Sequence, residues 1–438
     1  MNITSDRANW LQMGTHSIKS IKFANGMKTS RSRLKRLMIL TLMSVYGTSW
    51  AFGSCSANGE ETERTDPIVH TLSVSTGVDY VANSIGDEIR EEIAPEDRIK
   101  VNTSVPLNLR YSFSFTDPKI RHYLPGGYQG ISLGVLNFGG TQAHGLRKSE
   151  RFIGYPVLAY VFQGGPIHRF DSNLSLNYEW NFGASFGWKP YSEANKEFNL
   201  TVGSRVNAYL HLGFNLCRRL TDHTSIFAGI GISHFSNGNT SFPNPGVNSF
   251  GVRVGMNWTL NPPEQGFPKA LPDTVTRKKI EYDISAWGST RKRVYRGGEE
   301  PVLLPGHFAC AGISFSPMVN LNSWWRVGGS LDLQWDRSSD MKKNYISGET
   351  TDNIRFSRPS FWRQVTIGIS AHGELRMPIF AVNVGCGYNL KAPWENRGFY
   401  QNITLKTYVC DKIFLNVGYQ LRNFYQQSSL MLGAGVTL

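Results

Sequence analysis

The chain has no long apolar run beyond its N-terminal region, although 40% of its 438 residues are hydrophobic. A bundle of transmembrane helices is therefore excluded, because each helix would need about 20 consecutive apolar residues. The chain also has no phosphate loop, zinc-ligand spacing or dinucleotide fingerprint, so we expect no metal and no cofactor. Its five cysteines form no disulfide framework. Glycine (44 residues) and aromatic side chains (12%) are abundant, as expected where many short strands meet tight turns.

The N-terminal region has the organisation of a secretory signal. Arg31, Arg33, Lys35 and Arg36 precede an apolar run over 37–45, and small residues follow around 49–51. A membrane anchor is the alternative, but the apolar run is too short to span a bilayer. We predict that residues 1–54 are an N-terminal extension and signal peptide, with Met27 as a possible true start, and that 55–70 form a short periplasmic lead-in.

Export would change the charge balance of the chain. Residues 1–51 carry eight basic side chains against one acidic side chain, so removing them lowers the formal net charge from +13 to about +6. A modest positive excess suits phosphorylated lipid headgroups, and it is weak evidence for a nucleic-acid partner. We therefore expect lipid partners and no nucleic acid.

From about residue 70 onward, apolar residues recur at every second position. One face of a predicted long strand carries Leu174, Leu176, Tyr178, Trp180, Phe182, Ala184, Phe186 and Trp188, and the other face is mainly Gly, Ser and Asn. Strands with an apolar outward face and a polar or glycine-rich inward face are typical of a transmembrane β-barrel. A soluble sandwich would carry more Lys and Glu on its polar face. The sequence therefore predicts an all-β, antiparallel barrel of the bacterial outer membrane.

Sixteen such segments can be counted, eight in 71–260 and eight in 281–438. The segment 261–280 between them is rich in proline and lysine and is long for a periplasmic turn. It could join two eight-stranded barrels, but we expect a single barrel of about 14–16 strands, because two membrane barrels in one chain are rare. Turn length gives the orientation, since periplasmic turns are short and extracellular loops are long. The turn 221–223 is then periplasmic and the loop 237–247 is extracellular.

One motif places reactive side chains on the apolar face. His234 and Ser236 lie two residues apart on one predicted strand, and Asn248 lies on the next. Residues i and i+2 of a strand point to the same side, and both strands direct these positions outward with the apolar residues. A base, a nucleophile and an orienting group would thus meet near the outer leaflet. Such an arrangement suits an enzyme with a lipid substrate.

At these residues the chain resembles the PagL-type lipid A 3-O-deacylases and the related acyloxyacyl hydrolases of Bacteroidota. The resemblance rests on His234-x-Ser236-Asn237, on Pro243-Asn244-x-Gly246 and on the polar residue fourteen positions after the histidine, and it covers roughly 129–260. It implies a serine carboxylesterase without a metal, which removes an ester-linked acyl chain from lipid A of lipopolysaccharide.

The resemblance also implies a role for each site residue. Ser236 would be the nucleophile, His234 the base, and Asn237 and Asn244 would lie near the oxyanion. The third catalytic position departs from the enzymes of this family, because Asn248 stands where a glutamate is expected. An amide can orient the imidazole, but it cannot offset the charge of an imidazolium. We therefore expect activity that is slower than that of a glutamate-containing enzyme.

Two other functions compete with the deacylase. A porin-like or transport barrel would also have many strands and a polar lumen, and it would conduct ions regardless of Ser236. A structural or adhesive barrel would depend mainly on its long outer loops. The sequence does not indicate the oligomeric state, the acyl position that is cleaved or the role of residues 281–438.

Overall fold

The computed structural model describes residues 68–82, 103–116, 126–139, 154–191, 202–243, 245–263, 279–295, 302–322, 324–348, 353–377, 380–393, 396–410, 412–424 and 426–438. The predicted signal peptide, residues 1–54, and most of the predicted lead-in, 55–70, lie outside these ranges. No helical segment among the described residues is long and apolar enough to cross a membrane.

Eight antiparallel strands form a first closed barrel. They are β1 (Ile68–Ala82), β2 (Thr103–Phe115), β3 (Tyr128–Gly139), β4 (Gly154–Arg169), β5 (Leu174–Trp188), β6 (Val206–Arg219), β7 (Thr224–Ser236) and β8 (Val247–Thr259). Each strand pairs with its neighbour in the chain. β1 closes the barrel against β8, from Thr71 opposite Thr259 to Ala82 opposite Asn248.

Eight further long strands form a second closed barrel. They are β9 (Ile280–Arg291), β12 (Phe308–Asn320), β13 (Trp325–Asp336), β16 (Val365–Arg376), β17 (Phe380–Lys391), β18 (Gly398–Tyr408), β19 (Ile413–Arg422) and β20 (Gln426–Thr437). Two short hairpins extend from it, formed by β10 (Val294–Tyr295) with β11 (Val302–Leu303) and by β14 (Tyr345–Ser347) with β15 (Arg355–Phe356). Short 3₁₀ turns cover Met341–Asn344 and Phe361–Arg363.

The predicted fold class is confirmed, and the preferred arrangement of its strands was wrong. The structure has sixteen long barrel strands where the alternation places them, but they close as two eight-stranded barrels and not as one. Pairing of β1 with β8, and of β9 with β20, closes each set of eight into a barrel of its own. An unpaired edge in lipid would leave backbone groups without partners, at several kcal/mol each. The long 261–280 segment was the sign of this division.

The outward faces of the strands form an apolar band. Side chains such as Leu212, Ile230, Ile232, Phe250 and Val252 are each about half exposed, although they are large and hydrophobic. They stand at alternate positions, and the residues between them point inward. This pattern matches a surface that is solvated by lipid chains. Trp188 is an exception at the end of its strand: it is 2% exposed and packs inside the barrel, and its Nε1 donates to Ser185 Oγ at 2.8 Å.

Both lumens are filled by hydrogen-bonded charged side chains. In the first barrel, Arg110 donates to Glu179 at 2.6 Å. A cavity beside these two residues measures about 20 Å³, which is room for about one water molecule. In the second barrel, Arg326 is 0% exposed and contacts Asp283 and Glu374. Eight strands enclose a space that side chains can fill.

Candidate functional site

The site lies at the loop end of the β7–β8 hairpin. The short turn 220–223, which joins β6 to β7, lies at the opposite end of β7. β7 ends at Ser236, and β8 begins at Val247 after a loop of ten residues. His234 pairs directly with Asn248 across the two strands. The strand face that carries them also carries Ile230 and Ile232, which are 51% and 55% exposed. The structure therefore places the three predicted catalytic residues on the outward face, at the end of the apolar band.

His234 is held by Asn248. Its Nδ1 lies 2.6 Å from Asn248 Oδ1. Because an amide oxygen can only accept, Nδ1 carries the hydrogen, and Nε2 has the free lone pair of the neutral ring. Nε2 is thus the nitrogen that can take a proton from a nearby hydroxyl group. This contact is the geometry that an orienting amide needs, and the catalytic role of Asn248 stays a prediction.

Ser236 sits beneath the returning end of the loop. It is 7% exposed, although it points to the outward face. Gly246 lies over the pair with a backbone φ of +79°, and a Cβ added there would stand 2.9 Å from His234 Cε1 and 3.5 Å from Ser236 Cβ. Glycine is required at this point for two reasons, because other residues rarely adopt this φ and because no side chain would fit. This explains the last position of the Pro243-Asn244-x-Gly246 motif.

Asn237 shapes the loop. Its Nδ2 donates to Ser241 O at 3.1 Å and to Pro243 O at 3.2 Å, and its side chain is 4% exposed. Both amide hydrogens are therefore committed to loop carbonyl groups in this conformation. Donation from Asn237 Nδ2 to an oxyanion would require one of these bonds to break, and that role stays a prediction. Asn244, the second residue predicted near the oxyanion, lies outside the described residues.

An aromatic cluster inside the barrel fixes the end of β7. Phe235 points inward, is 4% exposed and packs on Tyr209 and Trp188, with ring centroids 5.0 and 5.3 Å apart. Because neighbouring residues of a strand point to opposite sides, burying Phe235 forces His234 and Ser236 outward. Sequence reasoning identified the outward pair but did not identify this inward anchor.

Other histidines of the fold show which features are particular to this site. His211 Nδ1 lies 2.9 Å from Ser233 Oγ in the first lumen. In the second lumen, His372 contacts Ser370 at 2.8 Å and Asn383 at 2.7 Å. Contacts among His, Ser and Asn therefore also occur as structural links inside both barrels. The His234 group differs by lying on the outward face, where a lipid can reach it.

The carboxylates considered as a substitute for the missing glutamate do not serve His234. Glu179 is buried in the lumen with Arg110. Asp222 lies in the turn at the other end of β7 and is 3.7 Å from Arg219. Among the described residues, no group of three or more His, Cys, Asp or Glu side chains could hold a metal ion.

Comparison with known protein families gives two matches that together cover most of the chain. The family described as lipid A 3-O-deacylase (PagL) matches residues 107–257, which include β7 and β8 as far as Asn257. The chain belongs to the PagL family. The second match, an acyloxyacyl hydrolase C-terminal domain, covers 280–438 and coincides with the second barrel. The two family descriptions support a hydrolase that acts on lipid A.

The chain is also remotely similar to solved membrane-barrel structures. The siderophore receptor PirA from Acinetobacter baumannii is 9% identical with a TM-score of 0.21, and the match covers 82% of this chain and 57% of the receptor. An outer membrane channel from Pseudomonas putida F1 is 10% identical with a TM-score of 0.17, covering 87% of this chain and 97% of the channel. TM-scores of this size support no argument about function. No curated protein sequence matches the chain.

Proposed function

We propose that this PagL-family protein is a serine carboxylesterase that removes an ester-linked acyl chain from lipid A in the outer leaflet. The observation that carries the proposal is the His234–Asn248 pair next to Ser236 on the membrane-facing side of the barrel. Polar groups in this position are costly in lipid, and a catalytic role accounts for them. The short turn at the start of β7 supports an extracellular position for Ser236, because periplasmic turns are short.

The reaction begins with attack of Ser236 Oγ on the ester carbonyl carbon. His234 Nε2 takes the serine proton as the new C–O bond forms, and Asn248 holds the resulting imidazolium by its Nδ1–H. The tetrahedral oxyanion collapses, the bond to the lipid A hydroxyl oxygen breaks, and His234 returns the proton to that oxygen. Water then hydrolyses the acyl-serine by the same proton transfers, which releases the fatty acid and regenerates Ser236.

The structure also bears on the alternative of a porin-like barrel. The Arg110–Glu179 pair occupies the first lumen, and Arg326 with its carboxylate partners occupies the second. Charged side chains that pair across a lumen occupy space that a wide aqueous channel would need, which supports hydrolysis over transport. Nothing in the described residues favours transport over hydrolysis.

Mass spectrometry of lipid A tests the proposal. We expect cells that express the protein to lose one hydroxyacyl chain from lipid A, and Ser236→Ala to restore the original pattern. Ser233→Ala is the matched control, because it removes a hydroxyl three residues away on the lumenal face of the same strand. An unchanged acyl pattern, with the wild-type protein folded in the outer membrane, would show that the proposal is wrong.

A further inference from the structure

The second barrel has an incomplete seam. Its closing ladder between β20 and β9 runs from Thr437 opposite Asp283 only as far as Leu432 opposite Gly288. Extending this register by four residues on each strand would place Ser428 opposite Lys292. Backbone groups at an unpaired strand end need other partners. The groups that bind Ser428 and Lys292 therefore show what takes the place of the missing strand pairing.

The active-site loop of the first barrel binds both of them. Asn239 Nδ2 donates to Ser428 O at 3.1 Å, and Lys292 N donates to Thr240 O at 3.1 Å. Arg291, which is buried and paired with Asp336, donates to the same Ser428 carbonyl at 2.8 Å. The loop therefore takes the two backbone positions that the seam would otherwise pair with each other.

Packing between these hydrogen bonds is close. Gly238 has a φ of +63°, and a Cβ added to it would stand 3.0 Å from Leu430 Cβ. Leu430 is half-buried, whereas Leu432, the next outward residue of β20, is 47% exposed. The side chain of Leu430 is thus covered by the loop, and that of Leu432 remains on the membrane-facing surface.

These contacts are linked directly to the catalytic residues. Thr240, which accepts from Lys292, donates from its Oγ1 to Asn237 O at 2.7 Å. Asn237 follows Ser236 in the chain and binds Pro243 O. The loop is therefore fixed at one end by β7 and in its middle by the second barrel, before Gly246 returns over His234.

We propose that the C-terminal barrel is a positioning domain for the active site, and that its open β9–β20 seam binds residues 238–240 of the loop after β7. The effect of the loop on catalysis rests on the proposed function, whereas the binding of the loop to the seam does not. The positioning groups in this view are the Asn239 side chain, the Lys292 backbone N–H and the Leu430 side chain. They act on the reaction through the loop and not by contact with substrate.

Single substitutions should distinguish loss of the backbone hydrogen bond to the loop from a general loss of folding. Lys292→Pro removes the N–H that binds Thr240, and Lys292→Ala keeps it. We expect Lys292→Pro to lower kcat/KM about fivefold, the effect of one net hydrogen bond, and Lys292→Ala to leave it unchanged. Asn239→Gly should cause a similar loss, because it removes the amide while still permitting the φ of +63° that Asn239 adopts. Equal activity of Lys292→Pro and Lys292→Ala would contradict the proposal.

A disulfide between the barrels provides the decisive test. Disulfides need a Cβ–Cβ distance of about 3.5–4.5 Å, so Gly238→Cys with Leu430→Cys should crosslink after a small shift, and Gly238→Cys with Leu432→Cys should not. Linked peptides are identified by mass spectrometry after mild oxidation of outer membranes. Deacylation is then measured before and after oxidation.

We expect the enzyme with the 238–430 disulfide to be as active as its reduced form. When the same cysteine pair is combined with Lys292→Pro, we expect oxidation to restore the activity that Lys292→Pro removes. Failure of the 238–430 pair to crosslink would overturn the proposal, and so would loss of activity on crosslinking. If crosslinking succeeds but the wild-type protein does not deacylate lipid A, then the proposed function fails and the binding of the loop to the seam stands.

Discussion

The amide at position 248 makes a quantitative prediction about the charge that forms during catalysis. In the wild-type enzyme, Asn248 Oδ1 holds His234 Nδ1 at 2.6 Å but has no net charge to offset the imidazolium. Asn248→Asp keeps the size of the side chain and adds one negative charge at the same place. A carboxylate about 4 Å from the imidazolium centre is worth about 4 kcal/mol at an effective dielectric constant of about 20.

Part of this gain is lost because the carboxylate must be partly desolvated. Asn248 is half-buried at the rim, and we take the offset as about half of the Coulomb energy, which leaves about 2 kcal/mol. Since 1.36 kcal/mol changes a rate tenfold, we expect Asn248→Asp to raise kcat/KM about 30-fold. Asn248→Ala should instead lower it at least tenfold, because the imidazole loses its orienting partner.

The assay is release of hydroxy fatty acid from lipid A by the purified enzyme in mixed micelles, quantified by mass spectrometry. Heat-modifiable gel migration verifies that each variant is folded. If folded Asn248→Asp were no faster than the wild type, then imidazolium formation at His234 would not limit the reaction, and the reasoning about the amide would be refuted.

Three further predictions concern the barrels and the loop. Gly246→Ala should lower kcat/KM at least tenfold while the barrel remains folded, because its φ of +79° and the nearby His234 ring exclude a Cβ; normal activity would contradict the fit of the loop. Ile232→Lys, in the apolar band, should lower the free energy of unfolding in lipid vesicles by about 2–4 kcal/mol, and an unchanged value would mean that this face is not in lipid. Arg326→Leu should lower the free energy of unfolding by about 3–5 kcal/mol, because Asp283 and Glu374 would lose a buried partner. Denaturant titration measures this change, and an unchanged free energy of unfolding would show that this network is dispensable.

Much of the fold follows from local pattern. Alternation along each strand predicts its position and its outward face, and it therefore places His234, Ser236 and Asn248 on one side. Phe235, which lies between His234 and Ser236 in the chain, is buried against aromatic side chains inside the barrel. A shift of the strand by one residue would expose Phe235 and turn His234 and Ser236 inward, so burial of Phe235 enforces the outward direction of the pair. The match between sequence and structure at this hairpin has that physical cause.

Closure could not be predicted in the same way. The alternation of β8 is the same whether it pairs with β1 or with β9, since both partners would present an apolar outward face. Only the long, proline-rich 261–280 connection distinguished two barrels from one. The contact of the loop with the β9–β20 seam was also missed, because Lys292 N and Ser428 O are backbone groups that leave no signature in side-chain pattern. Gly238-Asn239, a pair suited to left-handed backbone, was the available signal.

Covalent labelling of the enzyme tests the central claim most directly. An alkyl phosphonate probe with a good leaving group on phosphorus reacts with an activated serine and leaves a stable phosphonyl adduct, which peptide mass spectrometry can locate. The account predicts a single adduct on Ser236, greatly slowed labelling in His234→Ala, and labelling of Ser233→Ala at the wild-type rate. An adduct on another residue, or no adduct on an enzyme that deacylates lipid A, would contradict the assignment of Ser236 as the nucleophile.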